Sequence, residues 1–353
     1  MARTLVLGNG MPGAEKQALA LAEKIGLPYT LCHKLPGMAQ LPTAMQLAAC
    51  RSEFGRNLLG LSNVQPPHPT VAISCGRGSI PASVALKAAS QDETLTVHVQ
   101  RPACSESRFD LVVAPRHDYC NGPPPPPNVL LTDGALHNVT KTSLRSARLA
   151  WAAEMEPLPA PRLAVLIGGT VSRRWWQRPL APESSAESLT TLLHSAASAV
   201  GHLGGSLLLA TSRRTPIEAR LSLETTLTGL PVPARAWGPE ATPNPYEGLL
   251  SWADHLLVTA DSVSMVSEAC GTGKPVYVAG PRECSRRFLA FHEGLLAANR
   301  TREWCGVLEP TSSILQKPGM EDEEISEAST DTALAAARVR RMLGERDVET
   351  GIS

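Results

Sequence analysis

The stretch TADSVSMVSEACGTGKPVYVAG, residues 259–280, opens at the end of one apolar run, Leu256–Thr259, and closes on a second, Val276–Ala279. The segment between them reads as a helix. Short continuous apolar strands separated by helices imply a parallel sheet covered on both faces. The same alternation extends outward from this stretch. Upstream, Leu163–Ile167 reads as a strand, 184–203 as a helix, Ser206–Ala210 as a strand and 215–228 as a helix. The first half repeats the plan. Leu5–Leu7 is a strand, a glycine-rich turn follows, and a helix covers Glu15–Ile25, with Ala18, Leu21, Ala22 and Ile25 on one face and Gly26 as its stop. Pro28–Cys32, Val71–Ser74, Leu95–Val99, Leu111–Ala114 and Val129–Leu131 are further strands, with helices over 43–60 and near 81–89. The fold class is therefore α/β, built as two doubly wound, Rossmann-like halves in series.

A helix over 141–153 leads into Pro157-Leu158-Pro159-Ala160-Pro161. An interdomain linker is expected there, at 157–162. That spacing gives an N-terminal domain over 1–156, a C-terminal domain over 163–330, and a closing helix and tail over 331–353, with the helix ending in Gly344. The acidic run Glu321-Asp322-Glu323-Glu324 reads as a loop. The five prolines at 123–127 form an exposed polyproline loop, read as a tolerated surface insertion in preference to a docking site for a partner domain.

Composition narrows the function. At 353 residues the chain has the length of two domains. Lys plus Arg and Asp plus Glu number 33 each, so the chain lacks the basic footprint of a nucleic-acid binder. Eight scattered cysteines without a CxxC pair fit reduced thiols, not a disulfide framework or a zinc site. The sequence carries no signal peptide, transit segment or apolar stretch of about 18 residues. A cytosolic protein with at most peripheral membrane contact is expected. Metal-ligand spacing, a GxSxG elbow and a Walker loop are all missing.

Ligands of open α/β sheets bind beyond the carboxyl ends of the strands, so residues at those ends are the candidates. Gly8-Asn9-Gly10-Met11-Pro12-Gly13 is a formal GxGxxG between a strand and a helix. Tyr29-Thr30-Leu31-Cys32 follows in the second strand where a dinucleotide site would end in an acid. Gly8, Asn9, Gly10 and Gly13 therefore read as a cleft-lining loop or a structural turn. Gly168-Gly169-Thr170, with Arg173 and Arg174 behind, can hold a diphosphate through backbone N–H groups and guanidinium forks, or be an exposed basic loop. Asp261, Ser264 and Glu268 are spaced i, i+3, i+7 and so share a helix face, with Ser262 beside them at the helix start. Unpaired N–H groups there suit a phosphate, and Glu268 can accept from ribose hydroxyls. An ordinary N-cap at Asp261 or Ser262 accounts for Asp261 but not for Glu268 just before Ala269-Cys270-Gly271. His117, in Arg116-His117-Asp118, is either a general base or a loop hydrogen-bonding residue.

Six stretches together resemble the plant elongated-mitochondria fission proteins and their bacterial GT-B glycosyltransferase-like relatives. They are LGNGMPGAEKQ (7–17), SCGR (74–77), RFDLVVAPRHDY (108–119), TDGALHNV (132–139), PNPYEGLLSWAD (243–254) and residues 259–280. The resemblance implies a GT-B fold, two Rossmann-like domains facing each other across a cleft, with the C-terminal half on the nucleotide-sugar side. It implies that Glu268 contacts the nucleotide ribose and that Gly168, Gly169, Thr170 and Asp261–Ser264 line the diphosphate, with Arg173 close by. It also implies a cytosolic factor, peripherally at the mitochondrial outer membrane, that helps recruit a dynamin-related GTPase. The alternative is a metal-independent glycosyltransferase, or a nucleotide-sugar epimerase, in which His117 or the 8–13 loop serves the acceptor. No cofactor is required in either case beyond a nucleotide-diphosphate sugar as ligand. Two features depart from the plant pattern. The chain largely lacks an insertion between the second strand and SCGR, and it carries its own loop at 123–127.

Overall fold

The structure is a computed structural model and describes residues 3–8, 10–33, 43–49, 52, 67–169, 186–309 and 330–350. In the first unit, β1 (Thr4–Gly8), β2 (Tyr29–His33), β3 (Val71–Cys75), β4 (Leu95–Val99), β5 (Leu111–Pro115) and β6 (Val129–Thr132) form one parallel sheet. Its order is β2-β1-β3-β4-β5-β6. Strands β3, β4 and β5 are buried along their whole lengths, as strands covered on both faces must be. Helices α1 (Pro12–Ile25), α2 (Thr43–Ala49) and α3 (Ile80–Ala89) belong to this unit. Ala18, Leu21, Ala22 and Ile25 of α1 join Val71, Ile73, Val97 and Val113 in one core cluster. Each such Leu, Ile or Val stabilises the fold by about 1.5–3 kcal/mol over the exposed state.

The second unit contains α4 (Lys141–Ala150), α5 (Ala152–Met155), β7 (Arg162–Ile167), α6 (Ala186–Gly201), β8 (Ser206–Thr211), α7 (Ile217–Thr228), β9 (Ala234–Trp237) and α8 (Tyr246–Trp252). It continues with β10 (His255–Thr259), α9 (Val263–Cys270), β11 (Val276–Ala279), α10 (Arg286–Ala297) and β12 (Arg302–Glu303). The sheet runs β12-β11-β10-β7-β8-β9 and its pairings are parallel. Counted from β7, this is the 3-2-1-4-5-6 order of the doubly wound nucleotide-binding folds, with its switch point between β7 and β10. In the first sheet the switch point lies between β1 and β3.

The boundary between the units differs from the proline-based expectation. The units are residues 1–138 with 326–353, and residues 139–325. The helix placed in the N-terminal domain, α4, packs instead on α8. Trp252 Nε1 donates to the Arg148 carbonyl at 2.9 Å, and the Arg148 guanidinium lies 4.0 Å from the centre of the Trp252 ring. Burying the indole with its N–H satisfied draws α4 into the second unit.

The final helix, α11 (Asp331–Thr350), belongs to the first unit and continues past Gly344. At its start the Asp331 carboxylate accepts the N–H groups of Asp133 and Gly134, at 3.1 and 2.9 Å. Thr332 accepts the His137 N–H at 3.0 Å and donates to the His137 carbonyl at 2.9 Å. Ala335, Ala336 and Val339 enter the α1 core cluster. Near the C-terminus Arg346 donates to the carbonyls of Asp92 and Glu93 and to Asp110. These contacts outweigh the roughly 1 kcal/mol cost of a glycine inside a helix. The 43–60 helix is described only as α2, and residues 321–324 lie outside the described residues. Strands β9 and β12 and helices α8 and α10 add to the elements read from sequence.

Candidate functional site

At the switch point of the second sheet, Gly168-Gly169 follow β7 and Ala260-Asp261-Ser262 follow β10. The two strand ends are stitched together. Gly168 N donates to Thr259 Oγ1 at 2.8 Å, Gly169 N donates to Asp261 Oδ2 at 2.6 Å, and Thr259 Oγ1 donates to Asp261 Oδ1 at 2.6 Å. From the neighbouring strand end, Thr215 Oγ1 donates to the Gly168 carbonyl, and Ser212 N donates to the Ile167 carbonyl at 3.0 Å.

The glycines are needed for this closeness. A Cβ on Gly168 would overlap the Asp261 carboxylate, and one on Gly169 would overlap the backbone of Arg214. This corrects the expectation that the two N–H groups face a diphosphate. Both are engaged within the chain, and the small residues serve internal packing. Asp261 also leaves the face it was expected to share with Ser264 and Glu268. It precedes α9 and turns into the glycine corner. Burial raises its pKa, against the hydrogen bonds from Thr259 and Gly169 and the charge of Arg214.

An anion-binding set nevertheless remains beside this corner. Ser262 is the N-cap of α9, but its side chain does not cap the helix and instead accepts from Arg214 Nη2 at 3.4 Å. Arg213 and Arg214 are exposed. The uncapped first turn of α9, with Ser264 in it, presents N–H groups and the positive end of a helix dipole. Glu268 lies beside the phenol of Tyr246. Burial first, and then the Glu268 charge, raise the Tyr246 pKa well above its ordinary value. Arg213, Arg214, Thr215 and Tyr246 were missed as site residues. The run Thr211-Ser-Arg-Arg-Thr215 directly after a strand was the available signal for the first three. Thr170 and Arg173 lie outside the described residues.

At the switch point of the first sheet, Gly8 ends β1, and the Gly10 N–H donates to Glu15 Oε1 at 2.7 Å. A carboxylate of the chain's own first helix thus occupies the turn, as suits a structural loop. Gly13 lies in the first turn of α1, where an added Cβ would meet nothing within 4 Å, and Asn9 lies outside the described residues. His117 sits in a short 3-10 turn after β5, only 6% exposed, with Nε2 3.7 Å from Asp118 Oδ1. Being enclosed, it fits the loop role better than that of a base receiving a proton from a bound hydroxyl.

Among the described residues no helix is long and apolar enough to cross a membrane, and Cys32, Cys75, Cys104, Cys120, Cys270, Cys284 and Cys305 form no disulfide.

A family model described as mitochondrial fission ELM1 matches residues 12–343. The chain belongs to the mitochondrial fission ELM1 family. It is similar to the Arabidopsis thaliana mitochondrial fission protein ELM1, at 29% identity over 413 aligned positions covering 98% of the chain and 92% of the plant protein. An alignment longer than the 353-residue chain requires insertions in the plant relative. An uncharacterized Rickettsia prowazekii protein is 26% identical over 78% of the chain and 82% of its own length. Among solved structures, the UDP-GlcNAc 2-epimerase of Methanocaldococcus jannaschii aligns over 98% of the chain and 100% of its own, with a TM-score of 0.53 at 12% identity. That likeness concerns the fold, two Rossmann-like α/β units on the GT-B plan. Within this ELM1-family chain the stretches that carried the resemblance have structural work to do. TDGALHNV seats the start of α11, and PNPYEGLLSWAD carries Tyr246 toward Glu268 and Trp252 toward α4.

Proposed function

We propose that this ELM1-family protein acts in mitochondrial fission as a cytosolic factor held peripherally at the mitochondrial outer membrane, where it helps recruit a dynamin-related GTPase. The observation that carries this reading is the family match, which runs through both units. The internal use of the Gly168–Gly169 corner supports a scaffold role, because a buried carboxylate lies where an anionic ligand would approach those N–H groups. No cofactor is needed. Expression in an Arabidopsis line lacking its own relative tests the proposal. Restored short mitochondria, with more of the GTPase on the outer membrane, are expected. A soluble, full-length product that leaves mitochondria elongated overturns the fission role. Short mitochondria without a gain in surface GTPase overturn the recruitment step.

A second reading rests on Arg214, Ser262, the uncapped turn of α9 and Glu268. This is a nucleotide-sugar site in the second unit, for glycosyl transfer or epimerisation without a metal. The arginine and the helix start would stabilise a departing diphosphate, and Glu268 would hold the ribose. A thermal-shift titration with UDP-, GDP-, ADP- and CMP-sugars tests it. Saturation near 100 times the dissociation constant stabilises the fold by about 2.7 kcal/mol. A response lost in Glu268→Ala supports the site. No response, or one unchanged in that variant, removes it.

A further inference from the structure

We infer that the run Pro123-Pro124-Pro125-Pro126-Pro127 is a docking ligand for a partner domain with a groove lined by aromatic side chains, of the kind that reads a polyproline II helix. The inference does not rest on the fission reading or on the nucleotide-sugar reading. Each of the first four prolines has φ set by its own ring and ψ set by the proline that follows. The cis bonds among the described residues are at Ala160–Pro161 and Thr242–Pro243, so the run itself is trans. From Pro123 to Pro126 its backbone is therefore a left-handed polyproline II helix of three residues per turn, about 12 Å long at its usual rise, and a turn closed by the Val129 N–H on the Pro126 carbonyl at 3.0 Å leads on into β6. Two overlapping PxxP pairs, Pro123 with Pro126 and Pro124 with Pro127, project one turn apart on its faces. Pro123, Pro124, Pro126 and Pro127 are exposed.

The fold holds the two ends of this helix. On the upstream side Tyr119 is buried, donates to Glu106 Oε1 at 3.1 Å and lies 4.4 Å beneath the Arg101 guanidinium. On the downstream side the Asn128 amide bridges the carbonyls of Glu106 and Phe109, at 2.9 and 3.0 Å, and β6 begins at Val129. Both anchors converge on Glu106, so the prolines form an arch on a fixed base. A ligand already in its bound shape loses little entropy on docking. A loop that merely tolerated insertion would need neither the stiffness nor the paired anchors. Residues 121–128 carry no charge, so the prolines themselves must be what is read, by ring stacking against aromatic faces.

The test uses the full chain and three purified probes, one WW, one EVH1 and one SH3 domain, in calorimetric titration. At least one probe is expected to bind, and to bind about tenfold or more weakly to the P123A/P124A/P126A variant. The variant's thermal midpoint should match that of the parent, because the substituted rings lie outside the core. Failure of all three probes at about millimolar concentration overturns the inference. So does binding that persists at full strength in a normally folded triple variant.

Discussion

Replacing Asp110 with Ala should remove one of the contacts that tie the last helix to the first unit, together with three bonds from Lys87 and Thr96 inside that unit. The Asp110 carboxylate accepts from Lys87 Nζ at 2.8 Å, from Arg346 Nη2 at 3.1 Å, and from both the N–H and the hydroxyl of Thr96 at 2.8 Å each. A hydrogen bond to a charged group contributes about 1.5–3 kcal/mol, whereas an exposed ion pair contributes about 0–1. The Asp110 side chain is 14% exposed, against 20% for Lys87 and 31% for Arg346, so low values in those ranges apply. The loss for Asp110→Ala at pH 7 is then about 3 kcal/mol. Arg346→Ala should cost about 1 kcal/mol. All six tryptophans lie in residues 139–325, so indole fluorescence reports the second unit. Native-state hydrogen exchange at amides of β4, β5 and α11 reports the first. Burial works to raise the Asp110 pKa, but the bonds from Lys87 and Thr96 outweigh it and hold the pKa below its ordinary value. A carboxylate with a depressed folded pKa contributes stability above its unfolded pKa of about 4 and loses it as pH falls through the folded value. The gap between parent and variant should therefore be full at pH 7 and close in acid. A gap under about 0.5 kcal/mol at pH 7, or one of equal size at pH 3, refutes the reasoning.

Two other perturbations probe the second unit. Gly169→Ala places a methyl group in the Arg214 backbone and should destabilise that unit by about 1–3 kcal/mol; an unchanged urea midpoint by tryptophan fluorescence would mean that the corner is loose. Lys274 donates to the carbonyls of Leu250 and Ser251, both at 2.7 Å, and burial lowers its pKa to about 8. Its unfolded form keeps a proton that the folded form sheds between about pH 8 and 10.4, so this residue raises stability as pH rises through that window. Lys274→Met should remove that rise, and equal alkaline slopes in parent and variant would exclude it.

Much of the fold was legible because each element carries its own pattern. Leu95–Val99 and Val276–Ala279 were read at their observed bounds, since continuous β-branched and apolar runs between helices have one stable arrangement. Ala234–Trp237 was not, because a short edge strand with Arg235 in it has no such pattern. At the candidate site, sequence marked Gly168, Gly169, Asp261 and Glu268 but not the partners of these residues. Arg214 and Thr215 reach the glycine corner from a third strand, and Tyr246 comes from a separate helix. None of these meetings is encoded by local spacing.

The sequence by itself determined the α/β alternation, the two Rossmann-like halves and the family stretches, because periodicity and turn chemistry act over a few residues. Tertiary structure alone decided that α4 joins the second unit, that the last helix runs past Gly344 onto Asp110, and that the Gly168–Gly169 N–H groups serve Thr259 and Asp261. Those outcomes depend on groups scores of residues apart finding partners for an indole N–H, a guanidinium and a buried carboxylate. Such pairings exist only once each unit has brought its own elements together.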